Sequence, residues 1–250
     1  MKRNAHNEAK TALESTPEKE VQRVPCFHSS TGNDSIIAPQ FTKIEPINIL
    51  QKVDGVEIRI SDMAQYQRAV NQYVLRNAVQ FDPIEFDIID SSGYRVLQAS
   101  LYPDGVSLNE GKRKLCEVVL AHDEDSPHCI AKITHPVTSM TVYELKQVAG
   151  VVSIQSNADD MNGATWLSIL FACGCAFTRH KWALIAQDAK QATIEPRSSL
   201  FEENSIKVQW ELNSENEIRL IALSFGLALM VREAFPSLMH ILKEFRSRRG

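Results

Sequence analysis

Glu217–Phe235 reads E-I-R-L-I-A-L-S-F-G-L-A-L-M-V-R-E-A-F. From Leu220 to Val231 no residue is charged, and only Ser224 and Gly226 interrupt large or helix-forming apolar side chains. Leu and Ala dominate, which favours a helix over a strand. Asn213 or Ser214 is placed to cap its start, with Glu215 and Glu217 in the first turn. Pro236 makes Phe235 the expected last residue. At roughly 1.5 Å per residue the helix would be roughly 28 Å long. It has no polar face, so it must be enclosed by protein or by lipid. A membrane span takes about 18 or more apolar residues, and the uncharged run here has 12, bracketed by Arg219, Arg232 and Glu233. That favours burial in a protein core and leaves a membrane role open.

The rest of the chain supplies candidate walls for such a core. Val56, Ile58 and Ile60 alternate with Glu57 and Arg59, the mark of a half-buried strand. Asp54-Gly55 is a turn pair that would join this strand to Ile49–Val53 as a hairpin. Ser61-Asp62 would then cap a helix over 63–79. Beyond it, strands are expected at Ile84–Ile89, Tyr94–Leu101, Lys114–Ala121, Cys129–Ile133, Met140–Leu145, Gly150–Gln155, Trp166–Phe171, Trp182–Ile185, Ala192–Ile194 and Ile206–Trp210. Asp90-Ser91-Ser92-Gly93 and Tyr102-Pro103-Asp104-Gly105 read as turns. Many short strands followed by one wholly apolar helix suit a mainly β chain, a closed barrel wrapped on its C-terminal helix. Closure would bury every face of the helix and remove exposed strand edges.

Three segments follow: a disordered polar tail over 1–43, a barrel domain over 44–236 with its central helix at about 217–235, and a basic amphipathic tail over 237–250. The net charge of −4 and a pI near 6.0 offer no global basic field, so nucleic acid is not an expected partner. No apolar core follows Lys2 and Arg3, as a signal peptide would require, and five cysteines form no dense framework. The cytoplasm, or the cytoplasmic side of a membrane, is the expected setting, with the nucleus as another and secretion excluded.

No phosphate-binding Gly-rich loop, His-Glu-x-x-His or Gly-x-Ser-x-Gly is present, so the chain is expected not to be an enzyme. His122, His128, Cys129 and His135 cluster among acids but read better as a polar connection than as a zinc site. Cys173-Gly174-Cys175 lacks the spacing of a redox or zinc pair; its thiols are candidate lipidation sites. Glu202, Glu203 and Asn204 supply oxygens that could hold calcium, the one candidate cofactor. In the last segment Leu238, Ile241, Leu242 and Phe245 share one side. Lys243, Arg246, Arg248 and Arg249 make its end basic, a pattern that can lie at an anionic membrane surface, with an ordinary solvated tail as the favoured reading.

Ile44-Glu45-Pro46, a paired strand, and then Ile84 to Val96 (I-E-F-D-I-I-D-S-S-G-Y-R-V) resemble the start of the phospholipid scramblase domain. The order of Cys173-Gly174-Cys175, Asp188–Ile194, Phe201-Glu202-Glu203-Asn204, the Ile206–Trp210 strand and the Leu220–Val231 helix is similar to that domain's C-terminal half. The resemblance spans about residues 44–236. It implies a tubby-like barrel of about twelve strands around a hydrophobic C-terminal helix. It further implies calcium-activated, non-covalent movement of phospholipids between leaflets, with membrane phospholipids as partners and protein partners besides. Phe201 stands where the family's calcium segment has its first acid, and the family's run of adjacent cysteines is reduced to Cys173 and Cys175. Two functions therefore stand side by side: a scramblase-like transporter, and a lipid- or protein-binding barrel module that has lost transport.

Overall fold

The computed structural model describes residues 43–74, 81–121, 128–148, 151–156, 167–172, 181–186, 189–197 and 204–248. The expected N-terminal tail up to residue 42, Cys173, Cys175, Glu202, Glu203 and Arg249 lie outside these residues.

The chain is mainly β. A short helix α1 (Asn48–Gln51) precedes strand β1 (Gly55–Ile60), and helix α2 (Met63–Val74) follows it. An antiparallel run then comprises β2 (Ile84–Ile89), β3 (Arg95–Leu101), β4 (Gly105–Glu110), β5 (Arg113–Leu120), β6 (Cys129–Thr134) and β7 (Thr141–Val148). It continues through β8 (Val151–Ser156), β9 (Leu167–Ala172), β10 (Lys181–Ala186), β11 (Ala189–Arg197) and β12 (Ser205–Trp210). Helix α3 (Asn216–Leu229) continues into a π turn (Met230–Ala234), and α4 (Pro236–Ser247) ends the described chain.

Each strand pairs antiparallel with the one before it, and β1 pairs with both β2 and β12. The register brings apolar residues onto one face: Val56 opposite Val208, Ile58 opposite both Ile206 and Ile88, Ile60 opposite Phe86. A one-residue slip would turn all of these outward, so burial of that face fixes the register.

The inner face is filled by α3. Every residue from Ile218 to Leu229 is buried. Phe225 meets the edge of Trp182 from β10 at 5.3 Å, while Gly226 sits against Ile58 of β1 and Ile206 and Val208 of β12. The lack of a polar face on this helix is thus met by protein. Among the described residues no helix is long and apolar enough to cross a membrane.

Several expectations need correction. Asn213 and Ser214 do not cap α3: Glu215 holds the N-cap position without a side-chain bond, and the Ser214 hydroxyl turns back to donate to the Glu211 carbonyl. Ile49–Val53 is not a strand; Asn48–Gln51 coils into α1 and buries Leu50. The strands beside β1 are β2 and β12 instead, far away in sequence. β4 was not foreseen, because Gly105, Ser107 and Asn109 read as turn residues although Val106 and Leu108 face inward. The cap of α2 is as read: Asp62 Oδ1 accepts from the Ala64 and Gln65 amides at 2.8 and 3.1 Å. Residues 75–79 of that expected helix lie outside the described residues.

The segment after Pro236 is a docked helix. Leu238, Ile241 and Leu242 of α4 are buried, Phe245 packs edge-on to Phe81 at 5.2 Å, and the Tyr66 and Ser237 hydroxyls share a hydrogen bond of 2.5 Å. Its apolar stripe is spent on the protein's own core.

Candidate functional site

The start of α3 is strapped to the segment before β1. The Asn216 side-chain amide matches the Ile47 backbone, donating to its carbonyl at 3.2 Å and accepting from its amide at 2.6 Å. Arg219 does the heavier fastening. Its guanidinium donates to the Leu50 and Leu212 carbonyls, both at 2.7 Å, and to the Ser214 carbonyl and hydroxyl at 3.1 Å. It also lies 5.8 Å from the centre of the Trp210 ring. Only 5% of Arg219 is exposed, and burial pulls its pKa below the ordinary arginine value. Four oxygens and an aromatic face replace the water it has lost, which is what a buried cation requires. Arg219 was read only as the end of an apolar run; its Leu50 partner is 169 residues away, and Leu212 and Ser214 turn their oxygens to it only once the link before α3 is folded.

This strap leaves a cleft of about 600 Å³ beside the first turn of α3, lined by 43–47, Tyr143 of β7, Glu215, Asn216, Glu217 and Leu220. Ile44, Pro46, Ile47 and Leu220 give it an apolar wall, and Glu45, Glu215 and Glu217 give it an acidic rim. The Tyr143 hydroxyl donates to Glu217 Oε1 at 2.6 Å. Burial, then the hydrogen bond and charge of Glu217, push the phenol pKa well above its usual value. Tyr143 therefore stays a neutral donor that orients the carboxylate, the opposite of what a phenolate base or nucleophile needs. Such a cleft is suited to holding an amphipathic ligand with a cationic group against Glu215 and Glu217.

The other foreseen groups are dispersed. Asn204 donates to the Ala234 carbonyl at 2.8 Å and so ties β12 to the end of the π turn. The Arg246 guanidinium turns onto the sheet, donating to the carbonyls of Pro103 at 2.7 Å, Asp104 at 3.3 Å and Leu120 at 3.4 Å. Arg248 pairs with Glu244 one turn back at 2.6 Å, and Lys243 is exposed. Of the expected membrane-surface residues, Arg246 thus helps to dock α4 on the turn after β3 and on the end of β5, and Arg249 lies outside the described residues.

His135 accepts from the Val137 and Thr138 amides at 3.3 Å through Nδ1, shaping its own turn. Among the described residues no three His, Cys, Asp or Glu side chains converge to hold a metal. Cys116 of β5 lies fully buried opposite α3. Burial pushes its thiol up to about 12, against the opposing effect of the neighbouring Ser224 hydroxyl, so it remains protonated and unreactive near neutral pH.

Comparison with protein-family models, with curated proteins and with solved structures returns no match for this chain.

Proposed function

We propose that this chain is a non-enzymatic phospholipid-binding module built on a closed tubby-like barrel, scramblase-like in layout, which engages a membrane from outside. The observation that carries the reading is the burial of every residue from Ile218 to Leu229 among the strands. A helix whose Phe225 and Gly226 fit against β1, β10 and β12 is committed to the core. Releasing it into lipid would strip the inward faces of those strands of their contacts. The pairing of β1 with both β2 and β12 supports closure of the barrel. In this reading the cleft receives a phospholipid headgroup, its ammonium against Glu215 and Glu217 and its glycerol and upper chain along Ile44, Pro46, Ile47 and Leu220. Calcium stays a subsidiary proposal through Glu202, Glu203 and Asn204.

Two assays on the full chain test this. Flotation with phosphatidylcholine vesicles, with and without phosphatidylserine, should carry the protein upward, and a lipid-flip assay on the same vesicles should show no transport. Failure to float with either vesicle would remove lipid binding. Rapid flip would restore the transporter and overturn the placement outside the bilayer.

A further inference from the structure

Strands in an antiparallel meander alternate direction, so the β2–β3, β4–β5 and β6–β7 turns and the link from β12 to α3 all emerge at one end of the sheet. Among the described residues five large apolar side chains are exposed: Tyr94, Tyr102, Val137, Met140 and Leu212. Four of them stand at that end, Tyr94 at 73%, Val137 at 79%, Met140 at 56% and Leu212 at 80% exposure. Single exposed apolar residues are ordinary; their collection at one end is what calls for a cause. Tyr102 alone lies at the other end, beside α4.

The turns hold these tips outward. Asp90 Oδ1 accepts from the Ser92 and Tyr94 amides, both at 2.9 Å, with Gly93 at a φ of 83°. In the β6–β7 turn the His135 amide donates to the Met140 carbonyl at 2.9 Å, and the Ser139 amide to the His135 carbonyl at 3.0 Å. Between these two apolar turns stands the β4–β5 hairpin, where Gly111 at a φ of 59° leads into Lys112-Arg113-Lys114, all three exposed. Lys112 has no ion pair among the described residues, Lys114 reaches Glu117 at 2.8 Å, and Arg113 pairs with Glu45 on the rim of the cleft. Exposed pairs of this kind are weak and exchange readily for other anions. Strands about 4.8 Å apart place the three turns about 10 Å from one another, over about 20 Å in all.

We infer that this end of the sheet is the face that docks on an anionic phospholipid bilayer. Lys112, Arg113 and Lys114 would meet the headgroup phosphates, and Tyr94, Val137 and Met140 would enter the interface on either side. The order of apolar, basic and apolar turns is complementary to such a surface, in which charge and apolar depth lie side by side. An acidic protein would be complementary to the lysines but gives no reason for apolar tips on both flanks. The same end carries the cleft, since Tyr143 opens β7 and Glu217 opens α3, so docking would bring the cleft against lipid. This inference rests on the lipid-binding reading and deepens it by naming the contact surface.

The test uses the full chain in flotation with phosphatidylcholine vesicles and with the same vesicles containing phosphatidylserine. Two variants address the surface, Tyr94→Ser/Val137→Ser/Met140→Ser and Lys112→Glu/Lys114→Glu; Tyr102→Ser is the control at the other end. All are at exposed positions, so their melting temperatures should match the parent's. Each surface variant should lower the partition onto anionic vesicles by at least about tenfold, and Tyr102→Ser should leave it unchanged. A parent that floats and surface variants that float equally well would overturn the surface while lipid binding stands. A parent that floats with neither vesicle would remove lipid binding and this inference together. Loss in the glutamate variant alone, with the serine variant unaffected, would mean a purely electrostatic contact with the headgroups and overturn the entry of Tyr94, Val137 and Met140 into the interface.

Discussion

Gly226→Ala tests the enclosure of α3 by sign as well as by size. In a helix exposed to solvent or lipid, alanine in place of glycine stabilises by about 1 kcal/mol. Here a Cβ would sit 2.9 Å from Ile58 Cδ1 and 2.9 Å from Val208 Cγ2, with Ile206 Cγ2 at 3.6 Å. Carbon pairs prefer about 3.5–4.0 Å, so two methyl groups must yield by more than half an ångström. The Ile58 terminus can turn aside. Val208 is branched at Cβ and held in register opposite Val56 and Ile194, so it yields only with its strand. Overpacking of this kind costs about 1–3 kcal/mol, and two simultaneous clashes place it in the upper part of that range. Set against the helix gain, the net should be a loss of about 1–2 kcal/mol, or about 2–8 °C in Tm for a domain of this size. Urea unfolding followed by tryptophan fluorescence is a direct assay, because Trp182 packs on the neighbouring Phe225. A variant more stable than the parent by about 1 kcal/mol would mean that Gly226 does not face β1 and β12, and the core placement of α3 would fall.

Leu227→Asp would place a carboxylate at a fully buried position at a cost of several kcal/mol; circular dichroism should find the domain unfolded, and a folded, monodisperse variant would contradict the core. Arg246→Ala removes a donor from the Pro103, Asp104 and Leu120 carbonyls. It should cost about 1–3 kcal/mol and make α4 the first site of limited proteolysis, without changing flotation on anionic vesicles. Cys116 bears on alkaline stability: its thiol is raised from 9.0 to about 12 in the folded chain, so above pH 9 the unfolded chain loses a proton that the folded chain keeps. Stability should therefore fall between pH 9 and 12 by on the order of 4 kcal/mol from this group, and Cys116→Ala should flatten the decline in urea midpoints over that window. Calcium titration calorimetry tests the subsidiary site: Asn204 bonds the Ala234 carbonyl through its Nδ2, whereas a calcium ligand would be its Oδ1, so saturable heat below millimolar ion is expected and its absence would remove the Glu202–Asn204 site.

The core was legible where a residue pattern is local. Leu220–Val231 announces burial because no rotation of that helix offers a polar side to water, and Val56, Ile58 and Ile60 announce a strand by alternation. Strand β4 was hidden because Ser107 and Asn109, outward-facing and sharing a hydrogen bond, carry the same letters as a turn. Helix α1 was misread because what stabilises it comes from elsewhere: Arg219 takes the Leu50 carbonyl and Asn216 takes the Ile47 backbone. The cleft is the extreme case. Glu45, Tyr143 and Glu217 meet only after β7 and α3 are both in place, so nothing in the neighbourhood of any one of them marks a site. Arg246 carries no local signal of its bonds to the carbonyls of Pro103, Asp104 and Leu120, which lie more than a hundred residues away. The apolar turn tips were overlooked because Tyr94, Val137 and Met140 are isolated in sequence and share an end only through the alternation of strand direction.

The most direct measurement is amide hydrogen exchange on the full chain purified without detergent or lipid. If α3 is the core of the sheet, the Leu220–Val231 amides should exchange only with global unfolding, as slowly as those of β1 and β12. A protein that requires detergent to stay dispersed, or in which those amides exchange freely in aqueous buffer while the strands remain protected, would contradict the enclosure of α3 and the binding function built on it.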